Sequence, residues 1–146
     1  MKSIRIHSLR DMEQLGTDLV KDCPQRPLIL ALEGNLGAGK TTFAQYIGKA
    51  LGVKEAMTSP TFILHLEYEG LDHLDLYRLE SKVEFDELRI FKMLTGNKVV
   101  VIEWADKFKN EIVKISNKAN LIWIKFEHAG TDSRIVKIYH NEDISD

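Results

Sequence analysis

The segment Gly34-Asn35-Leu36-Gly37-Ala38-Gly39-Lys40-Thr41 constrains this chain more than any other. It fits the spacing G-x-x-x-x-G-K-[ST] at every fixed position. The continuous run at residues 28–33, apolar up to its closing Glu33, leads into it and suits a strand buried on both faces of a parallel sheet. Residues 40–51 follow with helical spacing, Phe43, Ile47, Ala50 and Leu51 forming the inner face and Gly52 the stop. Strand, glycine-rich turn and helix start together aim backbone N–H groups and the positive helix end at one point. That arrangement suits a nucleoside triphosphate, most simply ATP. Lys40 is placed to reach the terminal phosphates, and the Thr41 hydroxyl to bind Mg²⁺.

The rest of the chain predicts a fold that can surround such a loop. Residues 3–7 alternate as a short strand, and Ser8 with Asp11 predicts a helix start carrying Leu9, Met12, Leu15 and Leu19 inward. Pro24 and Pro27 end that helix. Residues 61–68 read as a strand, Glu69-Gly70 as a turn and residues 71–77 as the returning strand. Residues 81–94 have a helical pattern closed by Gly96. Residues 98–103 form a second buried-strand run, and residues 106–114 a short helix. Residues 121–128 and 134–140 alternate around a polar turn, as a C-terminal β-hairpin near one edge would. Interleaved strands and helices define an α/β class: a P-loop NTPase-like three-layer domain with a mixed, mainly parallel sheet. Without repeats or linkers, residues 1–146 are expected to form one domain.

Composition removes several function classes. A formal net charge of −2 supplies no global field for nucleic acid or an anionic membrane. The longest apolar runs fall far short of the roughly 20 residues that span a bilayer, so no membrane association is expected. The lone Cys23 excludes an internal disulfide and a cysteine zinc site. A cytoplasmic setting fits these features.

A phosphate loop needs a carboxylate for the metal and a group that orients the attacking water. In open α/β sheets such groups lie at the carboxyl ends of strands beside the loop. Glu103 ends the valine-rich strand and Asp75 lies near the end of residues 71–77. Glu103 is the stronger candidate, because four apolar residues lead directly into it. Alternation with Leu74 and Leu76 also allows Asp75 to face solvent. Thr58-Ser59-Pro60-Thr61 could sense a γ-phosphate through a hydroxyl, or could be a loop stiffened by Pro60. His65 and His73 read as ordinary strand residues rather than a metal pair. Trp104 reads as core, with stacking on a base or partner as the alternative. Asn117-Lys118-Ala119-Asn120 lacks the aspartate of a guanine-reading N-K-x-D, so GTP specificity has no support.

Four motifs occur in order: G-N-L-G-A-G-K-T-T-F at 34–43, T-S-P-T-F at 58–62, H-L-D-L-Y-R-L at 73–79 and V-I-E-W at 101–104. Together they resemble the TsaE (YjeE) family over nearly the whole chain. The resemblance implies a Mg²⁺-dependent ATPase, weak alone, that supports threonylcarbamoylation of tRNA adenosine next to the anticodon. It implies TsaD and TsaB as partners, with tRNA met only through their complex. Gly37, Gly39, Lys40, Thr41 and Thr42, with Gly34 and Ala38 of the same loop, would hold the phosphates. Thr41 and Glu103 would serve Mg²⁺, with Asp75 at or near it. Lys40, Asp75 and Glu103 would form the catalytic set. Thr61 would be switch-like, Arg134 would lie close to the nucleotide, and Ser8 and Leu9 would approach the base. Asn35 departs from the aspartate usual in the family.

Two other uses of such a loop stay open. A small kinase needs an arginine-rich lid to handle its acceptor. The arginines here number six, at 5, 10, 26, 78, 89 and 134, and no insertion is long enough for a lid. A nucleotide-dependent switch protein is the other alternative, disfavoured by the missing N-K-x-D but compatible with the S-P-T-F segment.

Overall fold

The computed structural model describes residues 1–35, 37–58, 64–116 and 119–144. Seven strands form one sheet: β1 (Lys2–Ile6), β2 (Leu28–Glu33), β3 (His65–Tyr68), β4 (Leu71–Asp75), β5 (Val99–Glu103), β6 (Asn120–His128) and β7 (Arg134–Tyr139). Their spatial order is β1-β7-β6-β2-β5-β4-β3. The four central strands β6, β2, β5 and β4 run parallel, while the outer pairings β1–β7, β7–β6 and β4–β3 are antiparallel. The mixed α/β sheet with its closing β6–β7 hairpin is therefore the architecture expected.

Both faces of the sheet are covered. On one face Leu30, Leu71, Val99 and Val101 pack with Met12 and Leu15 of α1 (Leu9–Asp22) and Phe43 and Ile47 of α2 (Lys40–Ala50). On the other, Ile29, Leu74, Val100 and Ile102 pack with Phe85 of α3 (Lys82–Glu87) and Ile112 of α4 (Lys109–Ile115). Alternate residues of a central strand thus enter different cores. This is why the central strands are apolar throughout rather than at every second position. Among the described residues no helix is long and apolar enough to cross a membrane.

Local chemistry sets the ends of α1. Ser8 Oγ accepts from Asp11 N at 3.1 Å, and Asp11 Oδ2 accepts from His7 N at 2.9 Å. The pair satisfies two backbone donors at the helix start.

Three expectations are corrected. Residues 81–94 are not one helix: after α3 Arg89 turns left-handed at φ +51°, and Ile90–Met93 form a 3₁₀ turn. Phe85 and Ile90 are both buried, yet in a continuous helix they would sit ~140° apart around the axis. The break lets both face the sheet. Leu9 is 66% exposed rather than inward, because the buried stripe of α1 runs through Met12, Leu15 and Leu19. The helix after β5 opens with a 3₁₀ turn, Ala105–Phe108, before α4. The described part of β3 begins at His65, and the remainder of the strand expected over 61–68 includes residues outside the described set.

Asp72 of β4 is fully buried, with Oδ1 2.7 Å from His65 Nε2 and Oδ2 accepting from Lys98 Nζ at 3.1 Å. Burial pushes its carboxyl up, but the bonds and charges of His65 and Lys98 more than reverse this and leave the pKa below its ordinary 3.8. A depressed carboxylate contributes stability above its unfolded value and loses it as pH falls through the folded value. Asp72→Asn is therefore expected to lower stability by about 1–3 kcal/mol near neutral pH. The difference should close in acid below 3.8, as followed by thermal unfolding across pH.

Candidate functional site

The parallel strands end together at one edge of the sheet. Leu32 and Asp75 are both in register with Glu103, so β4 and β5 end side by side and β2 ends one residue further on, at Glu33. From β2 the chain turns through the glycine-rich loop into α2. Gly37 and Gly39 take φ of +79° and +105°, a region that side chains strongly disfavour. Gly34 is needed for space, since a Cβ there would lie 2.9 Å from the Phe126 carbonyl oxygen. Gly39 caps α2 without any side-chain bond, so the first-turn N–H groups are left for another acceptor. Ala38 is buried behind the loop.

Lys40 opens α2 and its residue is 95% buried, with a relative exposure of 5%. Its ammonium donates to the carbonyls of Gly34 and, at 3.0 Å, of Asn35. It also lies 4.1 Å from the centre of the Trp104 ring. Burial lowers the Lys40 pKa from 10.5, and the nearby charges of Glu103, Asp106 and Asp75 partly oppose that shift.

Thr41 donates its hydroxyl proton to Glu103 Oε1 at 2.7 Å, and Glu103 Oε2 lies 2.6 Å from His73 Nε2. The alternation rule explains this meeting. Leu71, Val99 and Val101 face the α1–α2 core. His73, Asp75 and Glu103 continue the same period-two positions on β4 and β5, so they share the face against which α2 packs. Asp75 is buried rather than solvent-facing, and its Oδ1 accepts from Tyr77 N at 2.9 Å. Its alternation with Leu74 and Leu76 thus reflects two buried faces.

Two cavities flank the loop and share Gly37, Gly39 and Thr42. One of about 270 Å³ is lined by Lys40, Thr41, Asp75, Glu103, Tyr77 and Trp104. The other, about 470 Å³, is lined by Ser8, Leu9, Met12, Thr131, Asp132 and Arg134. Arg134 reaches across from β7 to the loop, its Nη2 donating to Gly37 O at 3.3 Å. The exposed Leu9 thereby gives the larger cavity an apolar wall beside polar groups.

The donor set suits a particular occupant. A hydroxyl and two carboxylates are hard oxygen ligands, the type Mg²⁺ accepts beside phosphate oxygens. The uncapped helix start and Lys40 supply the positive partner for a phosphate chain. Thr61 lies outside the described residues. His65 and His73 do not pair: the first meets Asp72 and the second Glu103. His65, Glu67 and Asp72 do cluster, but Lys98 stands there as the counter-cation, 3.1 Å from Asp72 and 3.8 Å from Glu67.

Sequence reasoning missed the roles of three neighbours. Trp104, at φ +57°, is half-buried beneath Lys40 rather than simply core, and its ring meets Tyr77 at 4.8 Å between centroids. Asp106 adds to the field on Lys40, its own carboxyl raised by burial. His73 was recognisable only by its spacing: two residues before Asp75 puts it on the same face of the same strand.

Comparison with known proteins identifies the family. The family model "Threonylcarbamoyl adenosine biosynthesis protein TsaE" matches residues 6–136. A Treponema pallidum tRNA threonylcarbamoyladenosine biosynthesis protein TsaE is 36% identical over 72% of this chain and 79% of its own length. A Bacillus subtilis protein of the same name is 34% identical over 73% of this chain and 65% of its own. A Rickettsia conorii one is 33% identical over 93% of this chain and 77% of its own. The crystal structure of Bacillus subtilis YdiB superposes with a TM-score of 0.63 at 25% identity, covering 94% of this chain and 83% of that one. Family model, relatives and solved fold agree, and the chain belongs to the TsaE family.

Proposed function

We propose that this chain binds Mg²⁺ and ATP at the loop of residues 34–41 and hydrolyses ATP in support of tRNA threonylcarbamoylation, acting with TsaD and TsaB. The observation that carries the reading is the 2.7 Å contact from Thr41 Oγ1 to Glu103 Oε1, which joins the phosphate helix to the end of β5. Family membership supplies the biological process. When bound, Mg²⁺ supplies Lewis acidity and draws charge from the phosphate oxygens.

The chain's own groups would divide the remaining work. The N–H groups of the loop and of the α2 start orient the phosphates. Lys40 leaves its loop carbonyls and places its charge on the terminal phosphates. Thr41 and Glu103 hold the metal side of the site, and Asp75 stands beside them to order water. Arg134 and Leu9 border the cavity in which the nucleoside end would lie. Such a site stabilises charge through preplaced groups.

The test is steady-state ATP turnover by the full chain with and without purified TsaD and TsaB. We expect slow turnover alone and clear stimulation by the pair. Binding of ATP without association or stimulation would refute the assembly role and favour a stand-alone enzyme.

A further inference from the structure

His73 lies on β4 against the Glu103 carboxylate. It is completely buried, and Glu103 beside it has 2% exposure. Its Nε2 lies 2.6 Å from Glu103 Oε2, while Nδ1 is buried without a hydrogen-bond partner among the described residues. A proton on Nδ1 would be a buried donor with no acceptor, at a cost of about 1–3 kcal/mol. A proton on Nε2 instead reaches a carboxylate oxygen at short range. The geometry therefore places a proton on Nε2, donated to Glu103 Oε2, with Nδ1 against the core.

We propose that His73 is a positioning residue that holds the Glu103 carboxylate in the orientation presenting Oε1 to Thr41. The proposal rests on the reading of Glu103 as the carboxylate of the Mg²⁺ side of the site. Glutamate at a strand end has three side-chain torsions to settle. Thr41 constrains one carboxylate oxygen and His73 the other, so the plane of the group is set by two bonds from opposite sides. The backbone strengthens the device: His73 pairs across β4–β5 with Val101, two residues before Glu103. Both partners therefore sit on adjacent, hydrogen-bonded strands of the sheet. A partner behind a metal-side ligand typically changes metal affinity or activity by about 10–100-fold.

Three variants separate the outcomes. His73→Gln keeps an N–H donor at the same reach from Cα, whereas His73→Phe keeps a ring and removes the donor. In the full chain, His73→Phe is expected to raise the Mg²⁺ concentration for half-maximal ATP turnover about tenfold or more, with ATP affinity in EDTA unchanged. His73→Gln should return the Mg²⁺ requirement to within about threefold of the parent. Equal behaviour of the Phe and Gln variants overturns the positioning role. Glu103→Gln tests the underlying reading by itself: if its Mg²⁺ dependence matches the parent, the metal-side assignment fails, whatever His73 does. A measurement on the unaltered, metal-free protein needs no variant to fold. Nitrogen-15 NMR of the His73 ring should show a directly bonded proton on Nε2. An Nε2 without a proton would overturn the proposal.

Discussion

Replacing Lys40 with alanine is expected to weaken ATP binding by on the order of 100-fold, or about 3 kcal/mol, while leaving the fold intact. In the proposed site the ammonium stands at the centre of the phosphate path. The folded protein without nucleotide does not need it. Lys40 is held over Trp104 and against two loop carbonyls, and burial has lowered its pKa from 10.5. A lysine with a depressed folded value is a cost to the folded state below that value, and the cost is gone above 10.5. Alanine removes the buried cation at every pH. Thermal unfolding at neutral pH should therefore show an unchanged or slightly raised midpoint. Affinity is read by calorimetry with Mg²⁺ and ATP. Near-parental affinity would show that the phosphates are not held at this loop. A collapsed midpoint would instead mean that Lys40 is a structural cation.

Glu103→Ala is expected to lower ATP turnover on the order of 100-fold, a barrier increase of about 2.7 kcal/mol, with ATP affinity changed far less. The separation follows from position. Glu103 meets Thr41 from the end of β5, whereas the N–H groups and Lys40 proposed to hold the phosphate chain belong to the glycine-rich loop and the start of α2. Alanine also leaves the buried His73 Nε2 without its acceptor, so a stability loss of about 1–3 kcal/mol accompanies the kinetic one. Glu103→Gln retains an oxygen acceptor and should show most of the kinetic loss with less of the destabilisation. Turnover is measured with TsaD and TsaB present, and unchanged turnover there would remove Glu103 from the mechanism.

The contrast between these residues shows what a linear reading can reach. The glycine-rich loop is a local object. Its glycines, lysine and threonine lie within eight consecutive residues, and the flanking strand and helix follow from apolar spacing alone. The alternating hairpin of β6 and β7 was legible for the same reason. The helix over residues 81–94 was not, because its break at Arg89 satisfies two buried side chains, Phe85 and Ile90, whose shared target is the sheet. Local propensity carries no record of that target. Leu9 likewise fits a helical stripe on paper, yet it looks outward into the cavity beside Arg134.

The site divides along the same line. Sequence by itself determined the glycine-rich loop, the α/β order of elements and the presence of carboxylates at two strand ends, because each depends on residues within one or two turns of each other. The tertiary structure alone decided that Asp75 is buried, that Thr41 meets Glu103 across 62 positions, and that His73 closes on the same carboxylate. Those contacts depend on the parallel register of β2, β4 and β5 and on which face α2 covers. Period-two alternation says only that neighbours point opposite ways. Which way is inward is set when the second layer of helices packs down, and here both ways are.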